Sequence, residues 1–272
     1  MKIRQFLLAL LLTLLCFSAA GGAGDPAVKN SQWNGYERLD FTVDGRACLL
    51  VLPKTPAIGR PWIWRTEFFG HEPQADLALL EKGFHAAYMD VQNMYGAPPA
   101  IAHMEKFHTY LTASHQLSAL PVLEGFSRGG LFALNWVIAH PDRVSCLYLD
   151  APVCDFKSWP AGFGKGKGSP GDWVRCKQIY GLASDEAARE SKLSPLEQFE
   201  ALAKAKIPIL SVCGDADDVV PMVENSSLLK ERCEKLGLTV TLITKPGVNH
   251  HPHSLKDPAP IVDFILKHTA AH

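Results

Sequence analysis

The sequence predicts an α/β protein in which helices cover both faces of a mainly parallel β-sheet. Short apolar runs that are typical of buried strands alternate with helical patterns over most of the 272 residues, and such alternation is typical of parallel sheets. Residues 38–43 alternate with period two, and Asp44-Gly45 forms a tight turn into residues 46–52. An antiparallel β-hairpin therefore opens the predicted fold.

The remaining elements follow this hairpin in order. Strands are predicted where apolar residues cluster between turn residues, at residues 62–64, 85–89, 121–124, 144–149, 207–213 and 239–244. Helices are predicted where apolar residues recur at helical spacing, at residues 76–82, 99–115, 131–140, 223–236 and 260–268. Ser194 and Glu197 have the spacing of a capping box, and Pro195 fits a first helical turn, so a further helix is predicted there.

The first residues have the pattern of a secretory signal peptide. Two basic residues are followed by an almost continuous apolar run at residues 6–17 and then by small residues. This order predicts a signal peptide over residues 1–20, with cleavage after Ala20 or Ala23. We therefore expect a secreted or periplasmic protein with no membrane span in the mature chain and one folded domain over residues 21–272.

The net charge bears on nucleic-acid binding, and the positions of the cysteines bear on possible disulfides. A formal net charge of −1 indicates no basic face for nucleic acid. A glycine-rich segment at residues 155–172 interrupts the strand-helix alternation, and we expect an insertion over the edge of the sheet, either a lid or a plain surface loop. Cys154 and Cys176 flank this segment and are candidates for a disulfide.

The most informative motif is Gly125-Phe126-Ser127-Arg128-Gly129, which joins a predicted strand to a predicted helix. A serine on such a turn has a strained backbone that exposes its hydroxyl, and small neighbours prevent a collision. The first amides of the helix then face the group that the serine attacks. The motif predicts that Ser127 is the nucleophile of an acyl-transfer enzyme.

An acid and a base follow at later strand ends. Asp215, Asp217 and Asp218 come after the strand at residues 207–213, and Asn249-His250-His251-Pro252-His253 comes after the next strand. Catalytic groups of open α/β sheets gather at this edge. A serine needs a base and a group that orients the base, and these loops offer both.

The order serine, acid, histidine resembles that of the α/β-hydrolase superfamily. This resemblance implies the α/β-hydrolase fold, with Ser127 as nucleophile, Asp217 as acid and His250 as base, and it implies no cofactor. Asp217 matches the acid because glycine precedes it and Val-Pro follows it, and Asp150 is the second choice because it ends the strand after the nucleophile strand.

An oxyanion hole requires two backbone amides. Arg128 supplies one by its position after the nucleophile, and the other is expected from Thr66, Glu67 or Phe68. The segment after residue 64 lacks the His-Gly pattern of many relatives, so the three candidates stay open.

Arg65, Tyr95 and His251 are predicted to contact the substrate. An arginine near a site is costly without an anionic or polar partner, so Arg65 indicates either a substrate carboxylate or an internal ion pair. Three close histidines raise the question of a metal site. No metal is expected, because no cysteine or carboxylate run accompanies the histidines at ligand spacing.

These residues predict a secreted serine hydrolase that cleaves carboxylic esters through an acyl-enzyme. Tryptophan-rich loops and the segment Asn-His-His-Pro-His are similar to those of exported bacterial hydrolases that act on polysaccharides, and the resemblance favours a carbohydrate esterase with a small-molecule or polysaccharide ester as its substrate. A prolyl-oligopeptidase-like serine peptidase is the first alternative. A binding protein on a catalytically silent hydrolase fold is the second.

Overall fold

The structure is a computed structural model that describes residues 27–269. The predicted signal peptide, with both cleavage positions, lies outside the described residues. Within them, one sheet contains nine strands. The strands are β1 (Lys29–Trp33), β2 (Tyr36–Val43), β3 (Arg46–Val51), β4 (Trp62–Arg65), β5 (His85–Met89), β6 (Val122–Phe126), β7 (Cys146–Asp150), β8 (Ile209–Gly214) and β9 (Val240–Lys245).

Eight α-helices connect or flank these strands in the described chain. They are α1 (Gln74–Glu81), α2 (Pro98–Ser114), α3 (Gly129–Ala139), α4 (Pro170–Tyr180), α5 (Asp185–Glu190), α6 (Phe199–Ala205), α7 (Ser226–Lys235) and α8 (Ala259–Thr269). Short 3-10 helices cover Pro195–Gln198 and Met222–Glu224. Among residues 27–269, no helix combines the length and the apolar character that crossing a membrane requires.

The strand order is β1-β2-β3-β5-β4-β6-β7-β8-β9. Strands β1 to β3 are antiparallel, β3 pairs antiparallel with β5, and the strands from β5 to β9 pair in parallel. The predicted fold class and the opening hairpin are therefore confirmed. Strand β1 was not predicted, because its residues Lys-Asn-Ser-Gln-Trp carry no apolar alternation and it lies at the sheet edge.

Helices cover both faces of the sheet. Side chains alternate along β4, so that Trp62 and Trp64 pack on one face while Ile63 packs on the other. The tryptophan face is covered by α2, α3, α6 and α7, and the opposite face by α1 and α8. The parallel strands are buried on both sides, and their carboxyl ends share one edge, which is where the predicted site residues lie.

The connection between β7 and β8 contains two helices, α4 and α5, that the sequence did not predict. The segment at residues 155–172 consists of turns followed by the first residues of α4. Helices α4 and α5 pack in an apolar cluster with Tyr95 and Leu131. Cys154 and Cys176 are buried free thiols in two different apolar clusters, so the predicted disulfide is wrong.

Ser194 does not cap a helix. Its hydroxyl donates to the Asp155 carboxylate at 2.8 Å and accepts the amide of Phe156 at 3.0 Å. The chain after it forms the 3-10 helix Pro195–Gln198, and α6 begins only at Phe199. The capping-box prediction is wrong because a tertiary hydrogen bond takes the serine hydroxyl.

Candidate active site

Ser127 lies on a strained turn between β6 and α3. Its φ of 49° is in the left-handed region, which is costly for a residue with a side chain. The turn is held from β7, because the Ser127 amide donates to the Asp150 carbonyl at 2.9 Å and the Ser127 carbonyl accepts the Val153 amide at 2.8 Å. A Cβ at Gly130 would lie 2.7 Å from the Val153 carbonyl oxygen, so only glycine fits here.

The structure brings Ser127, His250 and Asp217 into one hydrogen-bonded chain. His250 Nε2 lies 2.9 Å from Ser127 Oγ, and His250 Nδ1 lies 2.7 Å from Asp217 Oδ2. The other Asp217 oxygen accepts the amides of Val219 and Val220 at 2.9 and 2.8 Å. These amides fix the carboxylate, and the carboxylate fixes the imidazole ring with Nε2 toward the serine. This is the arrangement that activates a serine nucleophile.

Asp150, the second choice for the acid, lies with a different histidine. Its Oδ1 accepts His253 Nδ1 at 2.9 Å. Its Oδ2 accepts the Ser254 amide at 2.8 Å and the Tyr148 hydroxyl at 3.0 Å. The side chain is buried, and among the described residues it forms no hydrogen bond with His250. Asp150 therefore ties the loop after β9 to the end of β7.

Two amides beside Ser127 are free to bind an oxyanion. Within the described residues, the amides of Arg128 and Glu67 donate no hydrogen bond, and a Cβ at Gly129 would lie 3.7 Å from the Glu67 nitrogen. The Thr66 amide donates to the Glu124 carbonyl at 2.9 Å and is therefore unavailable. The Phe68 amide lowers the pKa of the Glu67 carboxyl group and therefore lies near that side chain. Of the two candidates that remain, Glu67 is favoured because its nitrogen lies close to Gly129, at the start of α3.

The sequence matches a known family of serine hydrolases. A profile of the prolyl oligopeptidase family matches residues 105–272, which is more than half of the chain and contains Ser127, Asp217 and His250. The chain belongs to the prolyl oligopeptidase family. It is a serine hydrolase of this family, and the predicted resemblance to the α/β-hydrolase superfamily is confirmed.

Solved structures share the fold of this prolyl oligopeptidase family member. An acylaminoacyl peptidase from Pyrococcus horikoshii matches with a TM-score of 0.63 and 14% identity, over 91% of this chain and 42% of its own. Dipeptidyl peptidase 4 from Porphyromonas gingivalis matches with a TM-score of 0.63 and 17% identity, over 87% and 35%. A putative dipeptidyl aminopeptidase IV from Bacteroides ovatus matches with a TM-score of 0.62 and 13% identity, over 89% and 35%.

The chain thus spans less than half of the length of these three structures. At such low identities the likeness shows the fold alone. A search of curated proteins finds no significant match.

Arg65 is not at the surface of the site. Its side chain is 1% exposed and contacts two buried carboxylates, Asp76 at 2.8 Å and Glu124 at 2.9 Å. It also donates to the carbonyls of Phe68 at 3.0 Å and His71 at 2.6 Å. Burial raises the pKa of Glu124 well above its ordinary value, and the Arg65 charge opposes that shift. The predicted substrate contact is corrected to a structural role in which Arg65 holds the loop after β4.

A cavity of about 470 Å³ opens beside Ser127 in this family member. Its lining comprises Phe68, Phe69, His71, Ser127, His250, His251 and His253. His251 therefore lies where the sequence predicts a substrate contact. Tyr95 does not, because its ring is fully buried and its hydroxyl donates to the Asp172 carboxylate at 2.6 Å. The Tyr95 prediction is corrected to a packing role under α4.

Two features of the site were missed by the sequence analysis. Phe69 forms an apolar wall of the cavity, and Glu72 accepts the backbone amide of His253 from a loop 181 residues away. The only local signal was the aromatic pair Phe68-Phe69 directly after a buried strand. Nothing local indicated that residues 68–72 and 250–254 meet.

Proposed function

We propose that this protein is a serine peptidase that cleaves an amide bond through an acyl-enzyme on Ser127. The observation that carries the proposal is the hydrogen-bonded chain Asp217–His250–Ser127 on a strained turn, in a chain of the prolyl oligopeptidase family. We call these hydrogen-bonded residues, Asp217, His250 and Ser127, the relay. A binding protein on a catalytically silent hydrolase fold does not need the relay, so the geometry argues against that alternative.

Acylation begins with proton transfer from Ser127 Oγ to His250 Nε2, across 2.9 Å. The serine oxygen forms a bond to the carbonyl carbon of the substrate, and the carbonyl oxygen becomes an oxyanion. The amides of Arg128 and Glu67 donate to that oxyanion. Asp217 stabilises the charged imidazolium and keeps Nε2 directed at the serine.

His250 then gives its proton to the leaving nitrogen, and the carbon–nitrogen bond breaks to leave the acyl-enzyme. For deacylation, His250 Nε2 takes a proton from water, and the hydroxide attacks the ester carbon. The bond to Ser127 Oγ breaks, and the proton returns to the serine. Each step uses groups of this chain and water alone.

The cavity walls suggest the class of substrate. Phe68 and Phe69 form an apolar wall next to Ser127, which suits a hydrophobic side chain beside the scissile bond. The names of the structural neighbours, acylaminoacyl peptidase and dipeptidyl peptidase 4, are consistent with peptide substrates on this fold. A carbohydrate ester, the main prediction from sequence, finds no such support.

We place the activity outside the cytoplasm because of the signal-like N-terminus.

The test compares amide and ester substrates on one preparation. The full chain is assayed with aminoacyl and acylaminoacyl p-nitroanilides, with p-nitrophenyl acetate and with acetylated and methyl-esterified polysaccharides. We expect hydrolysis of p-nitroanilides and labelling by a fluorophosphonate, both abolished in Ser127→Ala. Ser114→Ala, on an exposed position of α2, is the matched control and keeps both. Release of acyl or methyl groups from polysaccharides without amide cleavage would overturn the peptidase proposal.

A further inference from the structure

Four histidines surround one side of the cavity. The rings of His250, His251 and His253 lie with centroids 4.7 to 5.0 Å apart, and the His71 ring lies 5.9 Å from those of His251 and His253. His250 belongs to the relay with Ser127, and His253 is bonded to Asp150. His71 and His251 take part in neither of these hydrogen bonds, and both residues are exposed.

Glu72 adds a carboxylate to this pair. His71 Nε2 and Glu72 Oε2 are 3.6 Å apart, and His251 offers a ring nitrogen within 4.8 Å of both ligand atoms. Glu72 has a φ of 45°, and its Oε2 accepts the backbone amide of His253. The amide orients the carboxylate, in the way that outer hydrogen bonds orient metal ligands.

We propose that His71, Glu72 and His251 form a binding site for Zn²⁺. Two imidazoles and one carboxylate are a ligand set that zinc accepts, with a fourth position left for water or another ligand. Zinc bonds of about 2.0–2.1 Å at tetrahedral angles place ligand atoms about 3.4 Å apart. The separation between His71 and Glu72 is already near this value, and rotation of the exposed His251 side chain closes the remaining gap.

The second histidine triplet, His250, His251 and His253, is a poorer site. Its donor atoms also lie within 4.8 Å of one another. Both ring nitrogens of His250 are engaged, one with Asp217 and the other with Ser127, so a metal there would break a hydrogen bond of the relay. The triplet also contains no carboxylate to neutralise the charge of the ion.

The proposed ligands are distinct from the residues that carry out the chemistry at Ser127. Its ligands come from the loop after β4 and the loop after β9, and two of them line the cavity. The sequence predicts no metal because no carboxylate accompanies the three histidines along the chain. The fold supplies that carboxylate from a loop 181 residues earlier.

The test is a calorimetric titration of the tag-free, chelator-treated full chain with ZnCl₂. We expect one ion per chain, and the same stoichiometry in Ser127→Ala, which separates this result from the proposed peptidase activity. His71→Ala and Glu72→Gln should each weaken binding at least about tenfold, because even the loss of an outer hydrogen-bond partner of a ligand typically costs about 10–100-fold in metal affinity. His103→Ala is the matched control, because His103 is another part-exposed histidine beside a carboxylate, Asp44.

A further variant distinguishes the two triplets. His250→Ala should retain zinc binding if the ion lies on His71, Glu72 and His251. Loss of binding in His250→Ala together with retention in His71→Ala would overturn the proposal, and so would equal affinity in all variants. Co²⁺ gives an independent readout, because its visible absorption should appear in the wild type and disappear in Glu72→Gln. Far-ultraviolet circular dichroism without metal checks that each variant is folded.

Discussion

Glu67 and Arg128 form an ion pair with each other, and the backbone of each carries a free amide beside Ser127. The Arg128 guanidinium lies 3.4 Å from both oxygens of the Glu67 carboxylate, and the Glu67 side chain is buried. The two halves of the proposed oxyanion hole come from the loop after β4 and the start of α3. A side-chain contact therefore fixes the distance between amides that belong to separate elements.

Glu67 should make stability depend on pH. Burial raises its pKa to about 7 from 4.5, although Arg128 opposes the shift. Between these values the folded protein keeps a proton that the unfolded chain has lost, so the free energy of unfolding falls as pH rises through this interval. Glu67→Gln cannot ionise and should lack this fall. Urea unfolding of both proteins at pH 4.5, 6 and 8 measures the difference. Parallel pH profiles would contradict the prediction.

The acid that orients His250 can be identified by asparagine variants of Asp217, Asp218 and Asp150. Asp217→Asn should lower kcat roughly ten-thousand-fold, because the amide favours the wrong tautomer of His250. Asp218→Asn, at a part-exposed neighbour that pairs with Lys167, is the matched control and should leave kcat unchanged. Steady-state kinetics on one p-nitroanilide provide the measurement.

Asp150→Asn should act on stability instead. Asp150 accepts three hydrogen bonds, and an amide group cannot accept all of them, so we expect a loss of about 1–3 kcal/mol in the free energy of unfolding. Most of kcat should remain. A collapse of kcat in this variant with normal activity in Asp217→Asn would reverse the assignment of the acid.

The strained backbone at Ser127 predicts an unusual order of stability. With a φ of 49°, glycine is favoured over alanine at this position, so Ser127→Gly should be more stable than Ser127→Ala by roughly 0.5–1 kcal/mol. At Ser114, the last residue of α2, the same two substitutions should show the opposite order. Denaturant unfolding of the four variants measures these differences in the free energy of unfolding. The same order of stability at both positions would contradict the prediction that the Ser127 backbone is strained.

Arg65→Lys should be strongly destabilising. Lysine cannot replace the planar guanidinium that contacts Asp76, Glu124 and two carbonyls, and the carboxylates would be left buried without adequate partners. We expect a loss of about 3 kcal/mol or more in the free energy of unfolding. Arg38→Lys is the control, because the Arg38–Asp40 pair is part-exposed and should be worth under about 1 kcal/mol. Similar losses in both variants would refute the structural role of Arg65.

The catalytic residues were predictable from the sequence because they lie directly after strand ends. Ser127, Asp217 and His250 each follow a parallel strand, and parallel strands end at one edge, so their convergence follows from strand order. The second oxyanion amide could not be chosen among Thr66, Glu67 and Phe68 from the sequence. The choice depends on which of these amides already donates a hydrogen bond within the sheet. The hydrogen bond from Thr66 to Glu124 removes one candidate, and that bond exists only in the folded sheet.

The other failures share a physical cause, which is contact between distant segments. Arg65 meets Asp76 and Glu124, which lie 11 and 59 residues away. Ser194 has the local pattern of a helix cap, yet Asp155 takes its hydroxyl from 39 residues away. In both cases a buried charged or polar partner outweighs the local preference, and no window of sequence shows that partner.

The two loops that form the walls of the cavity, after β9 and after β4, are both held in place by buried carboxylates. Asp150 fixes His253 and the Ser254 amide on one side, while Arg65, held by Glu124 and Asp76, fixes the carbonyls of Phe68 and His71 on the other. The cavity is thus preorganised before substrate arrives, and little entropy is lost in ordering it. We therefore expect discrimination between substrates to rest on the fit to this preformed shape.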